Sequence, residues 1–174
     1  MSILIRRRAL TDSNLSDGFC LSCPTLEAYA GIAAEQYLND FGCTGENERP
    51  TLKISNPPNG VKSFAVTFYD EDAPTGSGFW HWVVYNLPAD TVLLPSGDLP
   101  EGALEANSDF GVPGYFGPCP PVGREHRYTF TVHALDVEQL DIPDVHTGAL
   151  AGFFIYQHTI DKASFTVKAG PRSG

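Results

Sequence analysis

Two stretches of the chain carry large apolar side chains at every second position. Phe64, Val66 and Phe68 alternate with Ala65, Thr67 and Tyr69, and Tyr128, Phe130, Val132 and Ala134 alternate with Thr129, Thr131 and His133. A third stretch, Trp80 to Leu87, is dense in β-branched and aromatic residues. Period two in such residues predicts strands over 63–69, 80–87 and 127–135. Shorter strands are predicted at 52–54 and 163–168. One segment has helical spacing: Leu150, Phe153, Phe154 and Gln157 share a face, and Thr147 stands ready as N-cap, which predicts a helix from Thr147 to about His158. Gly148 and Gly152 weaken it by about 1 kcal/mol each. A shorter helix is predicted within Leu26–Tyr37.

The segments between are rich in Gly, Pro, Asn and Asp. Asn56-Pro57-Pro58-Asn59-Gly60 is a turn. Asp70–Gly78 is a loop, Tyr115–Gly123 has a Pro-Gly texture, and Pro88–Tyr115 is a long connection of the kind that is often functional in a compact domain. Antiparallel strands with irregular excursions and a few short helices predict a mainly β protein, an antiparallel β-sandwich.

The chain has 174 residues and no repeat, low-complexity tract or linker, so one domain over 1–174 is expected. Hydrophobic residues make up 42% and charged residues 18%, which excludes a disordered chain. The net charge of −10 speaks against a nucleic-acid partner. No Lys or Arg lies between Lys62 and Arg124, so a site in that window binds without a cation of its own stretch.

No apolar run reaches the roughly 20 residues of a membrane span. In MSILIRRRAL the charges follow a very short apolar stretch, the reverse of a secretory signal. A cytoplasmic location is therefore expected, with Cys20, Cys23, Cys43 and Cys119 as reduced thiols. Cys20-Leu-Ser-Cys23 has the CxxC form, but no second pair follows. It is read as two partly buried loop residues rather than a zinc or redox site.

Asp70, Asp72, His81 and His126 stand at predicted strand ends or in the loops beside them. If those strands are neighbours, the four converge at one rim. One reading is an anion site: imidazoles donate to a phosphate-like group, carboxylates orient the rings, and backbone near Gly114–Gly117 adds N–H donors as a nest. A second is a metal site, since two His and two Asp suit zinc. A third is hydrolysis with a His base, for which Ser77, Ser108 and Cys119 are nucleophile candidates by position only. A fourth is four ordinary, satisfied polar residues.

Three segments bear on that choice. Asp70-Glu71-Asp72-Ala73-Pro74, then Trp80-His81-Trp82-Val83-Val84-Tyr85-Asn86, then Gly117-Pro118-Cys119-Pro120-Pro121-Val122-Gly123-Arg124-Glu125-His126-Arg127-Tyr128 follow one another in order. Together they resemble the phosphatidylethanolamine-binding protein family, above all its bacterial and archaeal Raf-kinase-inhibitor-like branch. The family pattern is DPDAP, a His-containing strand ending in Asn, then GPxPPxGxHRY. The likeness runs from about Leu52 through Lys168, and Asn107–Gly111 with Gly114-Tyr115 is similar to a family loop.

The resemblance implies a β-sandwich with a small surface pocket for phosphate or phosphorylated head groups. It implies pocket roles for Asp70, Asp72, Pro74, His81, Gly117, Pro118, His126 and Tyr128, a cis bond at Ala73–Pro74, and kinases or proteases as protein partners. It implies binding rather than catalysis, with no cofactor. Phe79 shares the His81 side of an alternating strand and is expected as a pocket wall, with Trp80 and Trp82 on the other face and Trp82 in the core. Glu71 replaces the usual Pro and points away from the pocket.

Eukaryotic members have a C-terminal helix near the pocket. Here Pro171-Arg-Ser-Gly174 is expected to be a loose tail and the pocket more open. A homodimer is compatible with the pattern, which marks no surface for one. A carboxylate that pairs with imidazole favours the protonated ring, so phosphate binding is expected to strengthen as pH falls from about 8 to 6. The alternatives are a hydrolase or metal-dependent enzyme built on Asp70, Asp72, His81 and His126, and a protein-interaction module acting through loop 88–115.

Overall fold

The predicted strands form, and they join into two antiparallel sheets in a computed structural model that describes residues 18–144 and 146–173. The N-terminal decapeptide, on which the signal argument rests, lies outside the described residues. The small sheet has the order β1-β2-β5, from β1 (Cys20–Ser22), β2 (Leu52–Ser55) and β5 (Leu93–Leu94). The large sheet has the order β6-β4-β3-β7-β8. Its strands are β3 (Ser63–Asp70), β4 (Phe79–Pro88), β6 (Leu104–Glu105), β7 (His126–Leu135) and β8 (Thr159–Ala169). The chain is therefore mainly β. Its described helices are α1 (Gly148–His158) and a single 3₁₀ turn, Ala34–Gln36, within the stretch expected to hold a short helix.

The main core lies between the sheets. Leu21, Leu52, Ile54 and Leu94 of the small sheet face Phe64, Val66, Phe68, Trp82, Phe130 and Val132 of the large one. The other face of the large sheet is not left to water. Ala65, Val83 and Tyr85 pack there with Ala151 and Ile155 of α1. This second layer explains why β3 is buried almost throughout, although its sequence alternates.

Thr147 caps α1 as predicted, accepting from the Leu150 N–H at 3.0 Å. The two glycines that weaken the helix have a packing reason. A Cβ at Gly148 would sit 2.9 Å from Trp80 Cβ, and one at Gly152 would touch the far edge of the same indole. Helix propensity is given up so that α1 can close over Trp80.

Several expectations are corrected. Cys43 and Cys119 form a disulfide across 76 positions of sequence, while Cys20 and Cys23 are free thiols, Cys23 buried and Cys20 within β1. The cis peptide among the described residues is Gly170–Pro171, so Ala73–Pro74 is trans. There the Thr75 N–H donates to the Ala73 carbonyl at 2.8 Å, and this tight turn across Pro74 reverses the chain. The described part of the C-terminal tail is not loose: Gly170 N–H donates to the Tyr37 hydroxyl at 2.9 Å, and Gly123 N–H donates to the Arg172 carbonyl at 2.9 Å.

Candidate functional site

The middle strand of the large sheet positions the site. β3 ends at Asp70, which lies opposite Phe79 on one side and Tyr128 on the other. His126 opens β7 two residues before Tyr128. His81 reaches the same rim through an irregularity. Phe68 pairs with Trp82 and Tyr69 with Trp80, which leaves His81 as the extra residue of a bulge. The bulge also overturns the expected alternation. Trp80 faces α1, but Trp82 lies in the inter-sheet core on the same side as His81.

Asp70 and His126 form the centre. The His126 Nδ1–H donates to Asp70 Oδ2 at 2.7 Å, and Asp70 Oδ1 accepts the Asp72 N–H at 2.9 Å. Both residues are at most 5% exposed. Because Nδ1 is engaged by the carboxylate, Nε2 is the nitrogen left for a ligand. His81 Nδ1 lies 2.8 Å from the Phe116 carbonyl, which only accepts, so this nitrogen carries the proton. Burial holds the His81 ring below its ordinary histidine range, outweighing the carbonyl and the Asp70 charge. His81 is therefore a neutral imidazole at pH 7, and His126 is the ring that pairs with a carboxylate. Burial, with Asp70 close by, pushes the Tyr128 hydroxyl up and keeps it protonated.

These groups open onto a cavity of about 460 Å³. Of the residues singled out from sequence, Asp70, Pro74, Phe79, His81, Gly117, His126 and Tyr128 line it. Phe79 stacks obliquely on His81 with ring centroids 5.0 Å apart. Asp72 and Pro118 do not line it. The Asp72 carboxylate turns to Arg127: Oδ2 accepts the backbone N–H at 2.8 Å and Nε–H at 3.2 Å, and Oδ1 accepts from Nη2 at 3.0 Å. The Arg127 guanidinium holds the Asp72 carboxyl below its usual range. Glu71 meets the same guanidinium at 3.1 Å, on the side away from the cavity. Asp72 thus fixes the start of β7 and positions His126 from behind. The four-residue set of two Asp and two His does not converge on one point.

Pro118 is buried and its carbonyl accepts the Leu38 N–H at 3.0 Å. Two donors of the expected nest are taken, because Phe116 N–H donates to the His81 carbonyl at 3.1 Å and Gly117 N–H to Asn47 Oδ1 at 2.6 Å. Gly117 serves the wall in another way, since a Cβ there would overlap the Gln36 carbonyl oxygen. None of the nucleophile candidates presents a free group to the cavity: Ser77 is exposed and does not line it. Cys119 is in the disulfide, and the Ser108 hydroxyl, buried, donates to the Val112 carbonyl at 2.9 Å.

Sequence reasoning missed part of the mouth. Phe110 packs on Phe79 with ring centroids 4.9 Å apart, and Phe41 lies 5.9 Å from Phe110. Arg172 also lines the cavity. A signal for Phe110 was its place in the Asn107–Gly111 loop. For Arg172 it was strand order: Ala169 of β8 pairs with His126, so the tail must leave β8 at the cavity end.

Comparison with known proteins places the fold among relatives. The chain is 51% identical over 135 residues to the Escherichia coli UPF0098 protein YbhB, covering 74% of this chain and 85% of YbhB. It is 39% identical over 165 residues to E. coli UPF0098 protein YbcL, covering 90% of each. The crystal structure of YbcL, described as a new member of the mammalian PEBP family, superimposes with a TM-score of 0.83 over 87% of this chain and 97% of that one. A carboxypeptidase Y inhibitor, solved in complex with its cognate proteinase, shares the fold at 17% identity and a TM-score of 0.53, covering 97% of this chain and 93% of that one. The family model for phosphatidylethanolamine-binding protein matches residues 30–170, and the chain belongs to that family.

Proposed function

We propose that this protein binds a small phosphate-bearing ligand, free or as a phosphorylated head group, in the Asp70–His81–His126 cavity. The observation that carries the reading is the buried Asp70–His126 pair at 2.7 Å, which leaves His126 Nε2 free for a ligand. Protonated His126 donates a charge-assisted bond to an anion while Asp70 holds the ring in place. Neutral His81 adds an acceptor at Nε2, suited to a ligand hydroxyl or ammonium proton. The aromatic mouth formed by Phe79, Phe110 and Phe41 suits an apolar body attached to the anion.

Binding is favoured over catalysis because the cavity offers a polarised imidazole, while Ser77 and Ser108 do not line it and Cys119 is in the disulfide. The disulfide suits an oxidising compartment better than the cytoplasm expected from sequence. No described helix is long and apolar enough to cross a membrane. A second reading, docking of a kinase or protease through loop 88–115, draws on exposed Val92, Leu93, Leu104 and Val112.

Calorimetric titration with inorganic phosphate and phosphoethanolamine tests the reading. Wild type is expected to bind saturably, and His126→Ala to lose at least about tenfold in affinity. Asp72→Asn, whose ion pair is largely exposed, is expected to change affinity by less than about fivefold. Absence of saturable binding in wild type refutes the proposal and moves weight to a protein partner.

A further inference from the structure

The interior of the cavity lacks net positive charge. A protonated His126 and an ionised Asp70 sum to zero, and a neutral His126 leaves the pair at minus one. His81 adds nothing, because burial keeps it neutral. Arg127 looks away from the cavity and is neutralised by Asp72 and Glu71. An anion drawn out of water into such a cavity needs a cation that the pair does not supply.

Among the described residues, the lysine or arginine that lines the cavity is Arg172. Its backbone is tied down on both sides. Gly170, at φ 85°, turns the chain where a Cβ would overlap the Arg124 carbonyl oxygen, and the Arg172 carbonyl accepts from Gly123. Its side chain is held by neutral acceptors. Nε–H donates to the Pro120 carbonyl at 2.6 Å, Nη2 to the Phe41 carbonyl at 3.3 Å and Nη1 to the Gly42 carbonyl at 3.4 Å.

Among the described residues no carboxylate lies within 4.0 Å of the Arg172 guanidinium, so none of them forms an ion pair with it. A guanidinium has five N–H donors, and these contacts use three. The carbonyls belong to the two loops that the Cys43–Cys119 bridge joins, so the disulfide sets the cradle.

We propose that Arg172 is the fixed cation of this pocket, an anion-binding residue delivered by the C-terminal tail and aimed by three loop carbonyls. This rests on the anion-binding reading above. It assigns charge recognition to Arg172 and orientation to the Asp70–His126 pair, and it selects ligands with a doubly charged head, such as a phosphate monoester, over singly charged ones.

The test is phosphate calorimetry on wild type, Arg172→Gln, Arg172→Lys and His126→Ala, with thermal unfolding of each. Arg172→Gln is expected to lose about tenfold or more in phosphate affinity. Wild-type affinity is expected to fall as NaCl is raised from about 20 to 300 mM, while the Gln variant loses most of that salt dependence. Arg172→Lys keeps the charge but not the planar three-carbonyl grip and is expected to retain most of the affinity.

If Lys and Gln lose affinity equally, Arg172 is a loop staple and the proposal is overturned. It is also overturned if Gln binds phosphate within about twofold of wild type while His126→Ala does not bind. Failure of wild type itself to bind phosphate overturns the underlying reading, and this proposal with it.

Discussion

Replacing Cys43 and Cys119 by serine removes a cross-link that closes a loop of 76 positions. In the chain-entropy treatment, a loop of that length restricts the denatured ensemble by about 4.5 kcal/mol at 25 °C. Measured bridges usually give about 2–4 kcal/mol, because the unfolded chain keeps some structure. The bridge joins the Phe41–Cys43 loop to the Cys119–Pro121 loop, outside the ladders of either sheet, so the strand cores should survive its loss. The double serine variant is therefore expected to fold and to lose about 3 kcal/mol in guanidinium unfolding. For a chain of this size that is about 8 °C in Tm.

The same chemistry is checked without mutation. Thiol titration of the denatured, unreduced chain should count the two free cysteines, Cys20 and Cys23, and reduction should release the other two. Four thiols before reduction, or a serine variant within about 0.5 kcal/mol of wild type, would refute the argument. The wall of the candidate pocket would then lack the anchor ascribed to it.

Two further outcomes follow from packing and charge. His133 is buried beside the Tyr156 ring, and burial with the nearby Lys162 charge pushes its pKa down to about 4. Above the unfolded value of 6.5 both states are neutral and nothing is lost; below it the unfolded chain takes up a proton that the folded one refuses until about pH 4. Stability should thus fall by about 2 kcal/mol between pH 7 and 5 from this group alone. His133→Gln should show that much less acid sensitivity in urea titrations at the two pH values, and an unchanged pH slope would contradict the assignment. Gly117→Ala should destabilise the fold by about 2–3 kcal/mol, because its methyl would overlap the Gln36 carbonyl oxygen and backbone there cannot yield cheaply. An alanine variant as stable as wild type in the same assay would mean that the two backbone segments can part freely.

Much of this protein is legible in local pattern. The alternation over 63–69 and 127–135 marks β3 and β7, and Thr147 marks the start of α1, although the face α1 buries is Ala151, Gly152 and Ile155 while Leu150 and Phe153 are exposed. The three motifs in order carry the family and bring Asp70, His81 and His126 into view. These signals are readable because a strand or helix repeats its environment every two or three to four residues, and neighbours in sequence suffice to show it.

The remainder depends on partners distant along the chain. Nothing near Asp72 in sequence says that its carboxylate meets Arg127 rather than a ligand. Period two cannot foresee that His81 is the extra residue of a bulge, which turns Trp82 onto its own face. Cys43 and Cys119 read as separate thiols until two loops are folded side by side, and Arg172 reads as part of a tail until β8 pairs with β7 and brings it to the cavity mouth. Sequence periodicity determined the strands and the rim. Tertiary structure alone decided which charges face the cavity, because strand pairing and loop packing, not spacing along the chain, set the distances over which charges and hydrogen bonds act.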